Sequence, residues 1–130
     1  MSVFSKIISG EIPAHVIKED DDFIAFLDIS PLVIGHVLVV PKQEINKLFD
    51  LPENLLSSIL IFAKPIAAAI EKSFNCNRCG ISVIGLEVPH AHVHLIPINS
   101  ADDINFTRKK LAPTNDSLAE ARKLILKNLN

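Results

Sequence analysis

"VPHAHVHLIPI", residues 88–98, sets His90, His92 and His94 at every second position, with Ala91, Val93 and Leu95 around them. In an extended chain, residues two apart share a face. The alternation therefore describes a strand over 89–98, with imidazoles on one side and apolar side chains on the core side. Three of the chain's five histidines fall within five positions, and three readings are open. They line the wet face of an amphipathic strand, they hold a metal, or they do chemistry at phosphorus. A metal is awkward for all three. At roughly 3.3 Å rise per residue the outer α-carbons lie about 13 Å apart. A metal would sooner take two of them plus His36 or an acid. Phosphorus chemistry suits the row best. A neutral imidazole has one nucleophilic nitrogen, a carbonyl can pin the other N–H, and neighbouring rings can donate to phosphate oxygens.

The flanking sequence supplies the rest of a sheet. Residues 15–20 (HVIKED) and 22–29 (DFIAFLDI) read as two strands with an acidic turn between them. A loop over 28–35 is punctuated by Pro31 and Gly35, and 36–42 (HVLVVPK) is a β-branched strand stopped by Pro41. Ser2 is placed to cap a short helix over 3–9, ended by Gly10. Asp50 and Glu53 form a capping-box variant with Pro52 in the first turn, opening a helix that runs to Phe74 with a bend at Pro65. Residues 79–85 are strand-like and 99–115 polar and irregular. A final helix over 116–129 has Leu118, Ala121, Ile125 and Leu129 near one face. Short turns between strands favour an antiparallel sheet, so the fold class is α+β.

The 130 residues fit a single domain, 1–130, and 48% apolar with 22% charged residues is ordinary globular composition. A net charge of −2 lacks the basic footprint that a nucleic acid polymer needs, while local donors can still draw a small anion. Cys76 and Cys79 form one CxxC, which excludes a four-cysteine zinc site within the chain and a disulfide framework. The opening "MSVFSKIISG" does not read as a secretory signal, so the expected compartment is the cytoplasm, with both thiols reduced. Residues 55–70 (LLSSILIFAKPIAAAI) are apolar but too short to span a bilayer and are interrupted by Lys64-Pro65. They read as a buried helix with apolar surface left over for a subunit contact, and no membrane partner is expected. No P-loop or dinucleotide glycine fingerprint is present.

"HAHVHL" has the His-x-His-x-His-x pattern, with apolar x, of the histidine triad (HIT) family, and the chain resembles that family over residues 3–98. "KIISGEIPA", "AFLDISP" and "GHVLVVPK", all within 4–42, fall in the order expected of it. The resemblance implies the HIT fold: a five-stranded antiparallel sheet with one long helix, here with a short N-terminal helix and a C-terminal helix. It implies a homodimer through the long helix and a sheet edge. It also implies a hydrolase that cleaves at the α-phosphate of nucleoside phosphoramidates or related AMP or GMP conjugates through a covalent nucleotidyl-histidine, with no cofactor. A dinucleoside polyphosphate hydrolase and a purine-nucleotide sensor or scaffold with little turnover are the alternatives. The implied nucleophile is His92. His94 contacts phosphate oxygens near the leaving group, and His90 and His36 order the network. Asp28 holds the ribose hydroxyls, and Phe4, Ile7, Phe26, Ile29 and Leu38 form an apolar slot for the base, chemistry these side chains suit.

Two departures stand out. Many relatives carry Cys-x-x-Cys where this chain has Ser2 and Ser5, and a histidine near Lys42-Gln43-Glu44, and bind structural zinc there. With those ligands replaced, no metal is expected. Relatives also carry a longer loop before the triad, with amide and hydroxyl donors for phosphate. Here "VIGLEVPHAH" is short, and Glu87 and Val88 stand in the nucleotide-binding turn. A carboxylate beside phosphate repels it unless it turns away or meets a cationic leaving group. Backbone N–H groups of residues 85–88 are the expected replacement donors. The extension, about 99–130, lies outside the resemblance. Asn105, Arg108 and Lys109 are its candidates to reach a neighbouring subunit's site.

Overall fold

Strands β2 (Phe23–Leu27) and β3 (Val37–Pro41) are buried at every residue, which alternation permits only where both faces of a sheet are covered. In the computed structural model, which describes residues 1–129, that is the arrangement. Phe23, Ala25, Leu27, Val37 and Val39 face the main core, while Ile24, Phe26, Leu38 and Val40 face a smaller cluster around Phe4. The sheet has five antiparallel strands in the order β1-β2-β3-β5-β4. β1 is Val16–Glu19, β4 is Arg78–Ser82 and β5 is Val93–Ile98.

Helix α2 (Glu53–Ser73) covers the main-core face with Ile59, Phe62, Ile66, Ala69 and Ile70. Helix α3 (Asn115–Asn128) adds Leu118, Ala121 and Ile125 to the same core. α2 is long and apolar enough to cross a membrane by length and composition, yet its apolar stripe is the core of this sheet. Pro65 removes the hydrogen bond to the carbonyl of Ile61, which lies on the outer side where water can satisfy it. Leu60 and Ile61 remain 53% and 72% exposed on that side. Helix α1 (Val3–Ile8) packs on the opposite face of the sheet, with Ser2 as its N-cap accepting from the Ser5 N–H.

Three details differ from the sequence reading, each for a local reason. β5 begins at Val93, not at residue 89. Before it the chain bends: the His90 N–H bonds Val88 O, and the Ala91 N–H bonds Ile45 O instead of a strand neighbour. The Asp50–Glu53 capping box does not form; Pro52 is the N-cap, without a side-chain bond. Proline forces the preceding Leu51 into an extended conformation, φ −61° and ψ 145°, so no helix can start earlier. Asp50 instead ends a short 3-10 turn, Leu48–Asp50. Finally, the segment before α3 is not wholly irregular. Ser100 and Asp103 form a capping box that closes a 3-10 turn over Ala101–Ile104.

Candidate active site

The register that pairs Leu38 with His94 puts His94 on the face opposite the main core. From there four imidazoles run in a row, none more than 7% exposed. His36 and His94 have ring centroids 5.1 Å apart, and His94 and His92 4.9 Å. The Phe4 ring stands edge-on between His92, at 5.0 Å, and His90, at 5.7 Å. Gly35 makes the tight entry to His36 possible. Its φ is +98°, and a Cβ there would meet the Phe74 ring.

Backbone partners decide where each proton sits. Leu32 N–H donates to His36 Nδ1 at 3.1 Å, so the proton of His36 is on Nε2, which donates to His94 Nδ1 at 2.9 Å. His94 therefore carries its proton on Nε2. His92 donates from Nδ1 to the His90 carbonyl at 2.7 Å, which leaves Nε2 of His92 as a bare lone pair. His90 donates from Nε2 to Pro41 O at 2.8 Å and accepts the Ser2 hydroxyl at Nδ1 at 2.7 Å. Adjacent rings thus present opposite faces of imidazole chemistry: an acceptor on His92 and a donor on His94. Burial, then the neighbouring His94 ring, pushes His36 down to about 3. Burial, then the His92 ring, pushes His94 down to about 4. Burial also lowers His92, partly offset by its bond to the His90 carbonyl. All three are neutral at pH 7.

A cavity of about 330 Å³ opens onto His92 and His94, and Phe4, Asp28, Leu38, Glu87 and Val88 also line it. The remaining sequence candidates lie elsewhere. His90 is fully buried beneath Phe4 and His36 lies behind His94, so two histidines of the triad, not three, form the wall. Phe26 backs Phe4 edge-on at 5.6 Å, and Ile7 packs against the same cluster. Ile29 is 65% exposed and outside the lining. Beyond the end of β2, Asp28 turns in and Ile29 turns out. One Asp28 oxygen accepts the Ser30 N–H, and burial raises its carboxyl above the ordinary value. The other oxygen lies 3.7 Å from His36 Nε2.

Sequence reasoning missed four lining residues: Ile84, Phe106, Thr107 and Lys110. Ile84 belongs to the short turn beside Gly85 and Leu86, whose backbone N–H groups were expected there, and Gly85 adopts φ +73°. The other three come from the same chain's extension. The Leu111 N–H bonds Pro31 O at 2.9 Å, tying that segment to the loop before His36, and Phe106 packs against His94 at 4.6 Å. Of the candidates named there, Asn105 and Arg108 bond locally with the 3-10 turn, Arg108 pairing with Asp102 and Asp103. Lys110, which the reading did not name, lines the cavity of its own chain.

Residues 9–101 match the family model described as HIT domain. The chain belongs to the HIT family. It is 35% identical to an uncharacterized HIT-like protein of Methanocaldococcus jannaschii over 94% of this chain and 99% of that one. It is 38% identical to the adenosine 5'-monophosphoramidase HNT1 of Saccharomyces cerevisiae, over 73% of this chain and 61% of that one. The crystal structure of a HIT-like protein from Bartonella henselae superposes with a TM-score of 0.87 at 31% identity, covering 98% of this chain and 96% of that one.

In this HIT protein the N-terminal serines do meet Glu44, but as a hydrogen-bonded cluster. Glu44 Oε1 accepts from the Ser2 N–H and the Ser5 hydroxyl, each at 2.6 Å, while the Ser2 hydroxyl reaches His90. Those bonds, the Ser2 N–H first, hold the Glu44 carboxyl down to about 2. Two hydroxyls and one carboxylate are a poor match for a structural zinc site. Here they tie α1, and with it Phe4, to the triad. Asp28, His36 and His94 also bring ligand atoms within 4.8 Å of one another. They do not suit a metal as placed. The Leu32 N–H occupies His36 Nδ1, so His36 Nε2 keeps its proton and has no lone pair to give.

The buried neutral rings predict a pH dependence of stability. Unfolded imidazoles take up protons near pH 6.5, whereas folded His36 and His94 resist until about 3 and 4. Below pH 6.5 the unfolded chain binds more protons. Stability that is full above that pH is therefore lost as pH falls toward 4. Urea unfolding should show a loss of about 4 kcal/mol between pH 7.5 and 5, about 2 kcal/mol from each ring. Equal midpoints at the two pH values would mean that the rings are open to water.

Proposed function

We propose that the protein is a nucleotide hydrolase that cleaves purine nucleoside phosphoramidates, or related AMP conjugates, at the α-phosphate through a covalent intermediate on His92. The observation that carries this reading is the His92 Nδ1–H bond to the His90 carbonyl, which leaves Nε2 unprotonated at a cavity wall. Kinship with proteins named adenosine 5'-monophosphoramidase supports the substrate class.

The chemistry follows from the protons. His92 Nε2 attacks phosphorus, an N–P bond forms and the bond to the leaving nitrogen breaks. The departing amine takes its proton from water at the mouth of the cavity. Positive charge then develops on the His92 ring, and the His90 carbonyl accepting from Nδ1 is aligned to stabilise it. His94 holds a phosphate oxygen with its Nε2–H. It acts as a hydrogen-bond donor and not as an acid, because the proton it would need to recover sits on His36, whose own Nδ1 faces a backbone N–H that cannot transfer. Water attacks the nucleotidyl-imidazole in turn, releasing the nucleoside monophosphate and restoring His92. In this reading the base lies against Phe4, Leu38 and Val88, and Asp28 accepts from the ribose hydroxyls. Cys76 and Cys79 are free thiols, and Cys79 is pushed up to about 12 by burial, so it takes no part as a nucleophile. Reduced thiols fit the cytoplasmic location we assign.

A radiolabelled adenosine phosphoramidate should leave label on the denatured wild-type protein, and His92→Asn should lose both the label and at least roughly a thousandfold in kcat/KM. AMP binding with neither adduct nor turnover in the wild type would instead make the protein a sensor.

The assembly we propose is a homodimer through α2 and the free edge of β4. β4 ends the sheet with one side unpaired, and Ile81, at 52% exposed, adds to the apolar surface offered by Leu60 and Ile61. Light scattering should report a dimer for the wild type and a monomer for the Leu60→Asp, Ile61→Lys double variant. A wild-type monomer at tens of micromolar would refute this assembly.

A further inference from the structure

The turn that precedes the triad offers phosphate no side-chain donor. Ile84, Gly85, Leu86 and Val88 carry none, and Glu87 is an anion. With neutral imidazoles, the cavity's own charges are two carboxylates, Asp28 and Glu87, against a single cation, Lys110. Without that cation a phosphate would enter a net negative site. The Thr107 hydroxyl is already given to Asn105 Oδ1 at 2.6 Å, so it is not a free donor either.

Lys110 is held where such a cation is needed. Its Nζ lies 3.7 Å from Glu87 Oε1, and its side chain is 31% exposed against 83% for Glu87. Its charge is felt at Asp28, His36 and His94 alike. The backbone bond from Leu111 to Pro31 and the packing of Phe106 on His94 fix the segment that carries it. That segment lies beyond residue 101, where the family match ends.

Building on the nucleotide-hydrolase reading, we infer that Lys110 is the phosphate-binding cation of this site, and that it exchanges its ion pair with Glu87 for the non-bridging oxygens of an incoming nucleoside 5'-phosphate. An exposed pair of this kind is weak and easily exchanged. Phosphate oxygens are stronger partners for an ammonium group. Glu87 is thereby freed at the mouth, where a cationic leaving group would meet it.

The test is calorimetric binding of AMP and of adenosine at pH 7 and low salt. Lys110→Met should weaken AMP roughly tenfold or more and leave adenosine within about twofold, and Lys110→Arg should recover most of the loss. Glu87→Gln should tighten AMP by about two- to fivefold by freeing the lysine, and this gain should vanish in the double variant with Lys110→Met. AMP affinity unchanged in Lys110→Met, or AMP and adenosine weakened alike, would overturn the inference. If AMP binding depends on Lys110 but the wild type forms no adduct, the hydrolase reading fails and the phosphate site stands. If turnover and adduct are present but indifferent to Lys110, the reverse holds.

Discussion

A buried imidazole has two nitrogens and one proton, and the site depends on where that proton is placed. Three of the four rings here are each given one unambiguous backbone partner, and the fourth follows from them: His36 accepts from Leu32, His92 donates to His90, His90 donates to Pro41, and His94 inherits its state from His36. Burial keeps His36, His92 and His94 from resolving the matter by taking a second proton. The result is a bare lone pair on His92 next to an N–H on His94 at one cavity wall. Nucleophilic attack and electrophilic assistance at phosphorus require that pairing, and solvent-exposed histidines exchanging tautomers would not maintain it.

The fold exists around that constraint in a specific way. Two strands buried on both faces let one side of the sheet be spent on structure, under α2 and α3, and the other on the site, under α1. α1 is only six residues long and has little stability of its own. Its position comes from the cluster of Ser2, Ser5 and Glu44, which joins its N-terminus to His90. The same histidine that anchors α1 supplies the carbonyl that orients His92. Placement of Phe4 and orientation of His92 thus share one residue.

Much of this was legible in the chain. The alternation around His94, the β-branched run before Pro41 and the capping by Ser2 follow from local rules, and they led to the right sheet, but of the three rings they placed on one wall only His92 and His94 reach the cavity. Most of what was not legible depended on partners distant in sequence. Nothing in "VPHAH" shows that Ala91 bonds Ile45, which shortens the strand and sends His90 under Phe4. Pro52 overrode the Asp50–Glu53 cap because proline restricts the residue before it more strongly than a side chain rewards the cap. Phe106 and Lys110 sit in a polar, aperiodic segment, and the bond between Leu111 and Pro31 that brings them to the site leaves no mark in the pattern.

The most direct test is nitrogen-15 NMR of the imidazole side chains at pH 7, with each ring assigned by single His→Asn replacement. The account predicts His92 protonated on Nδ1 alone and His94 protonated on Nε2 alone, each as a single tautomer and not an average. A proton on Nε2 of His92, or fast averaging between the two nitrogens of that ring, would contradict it.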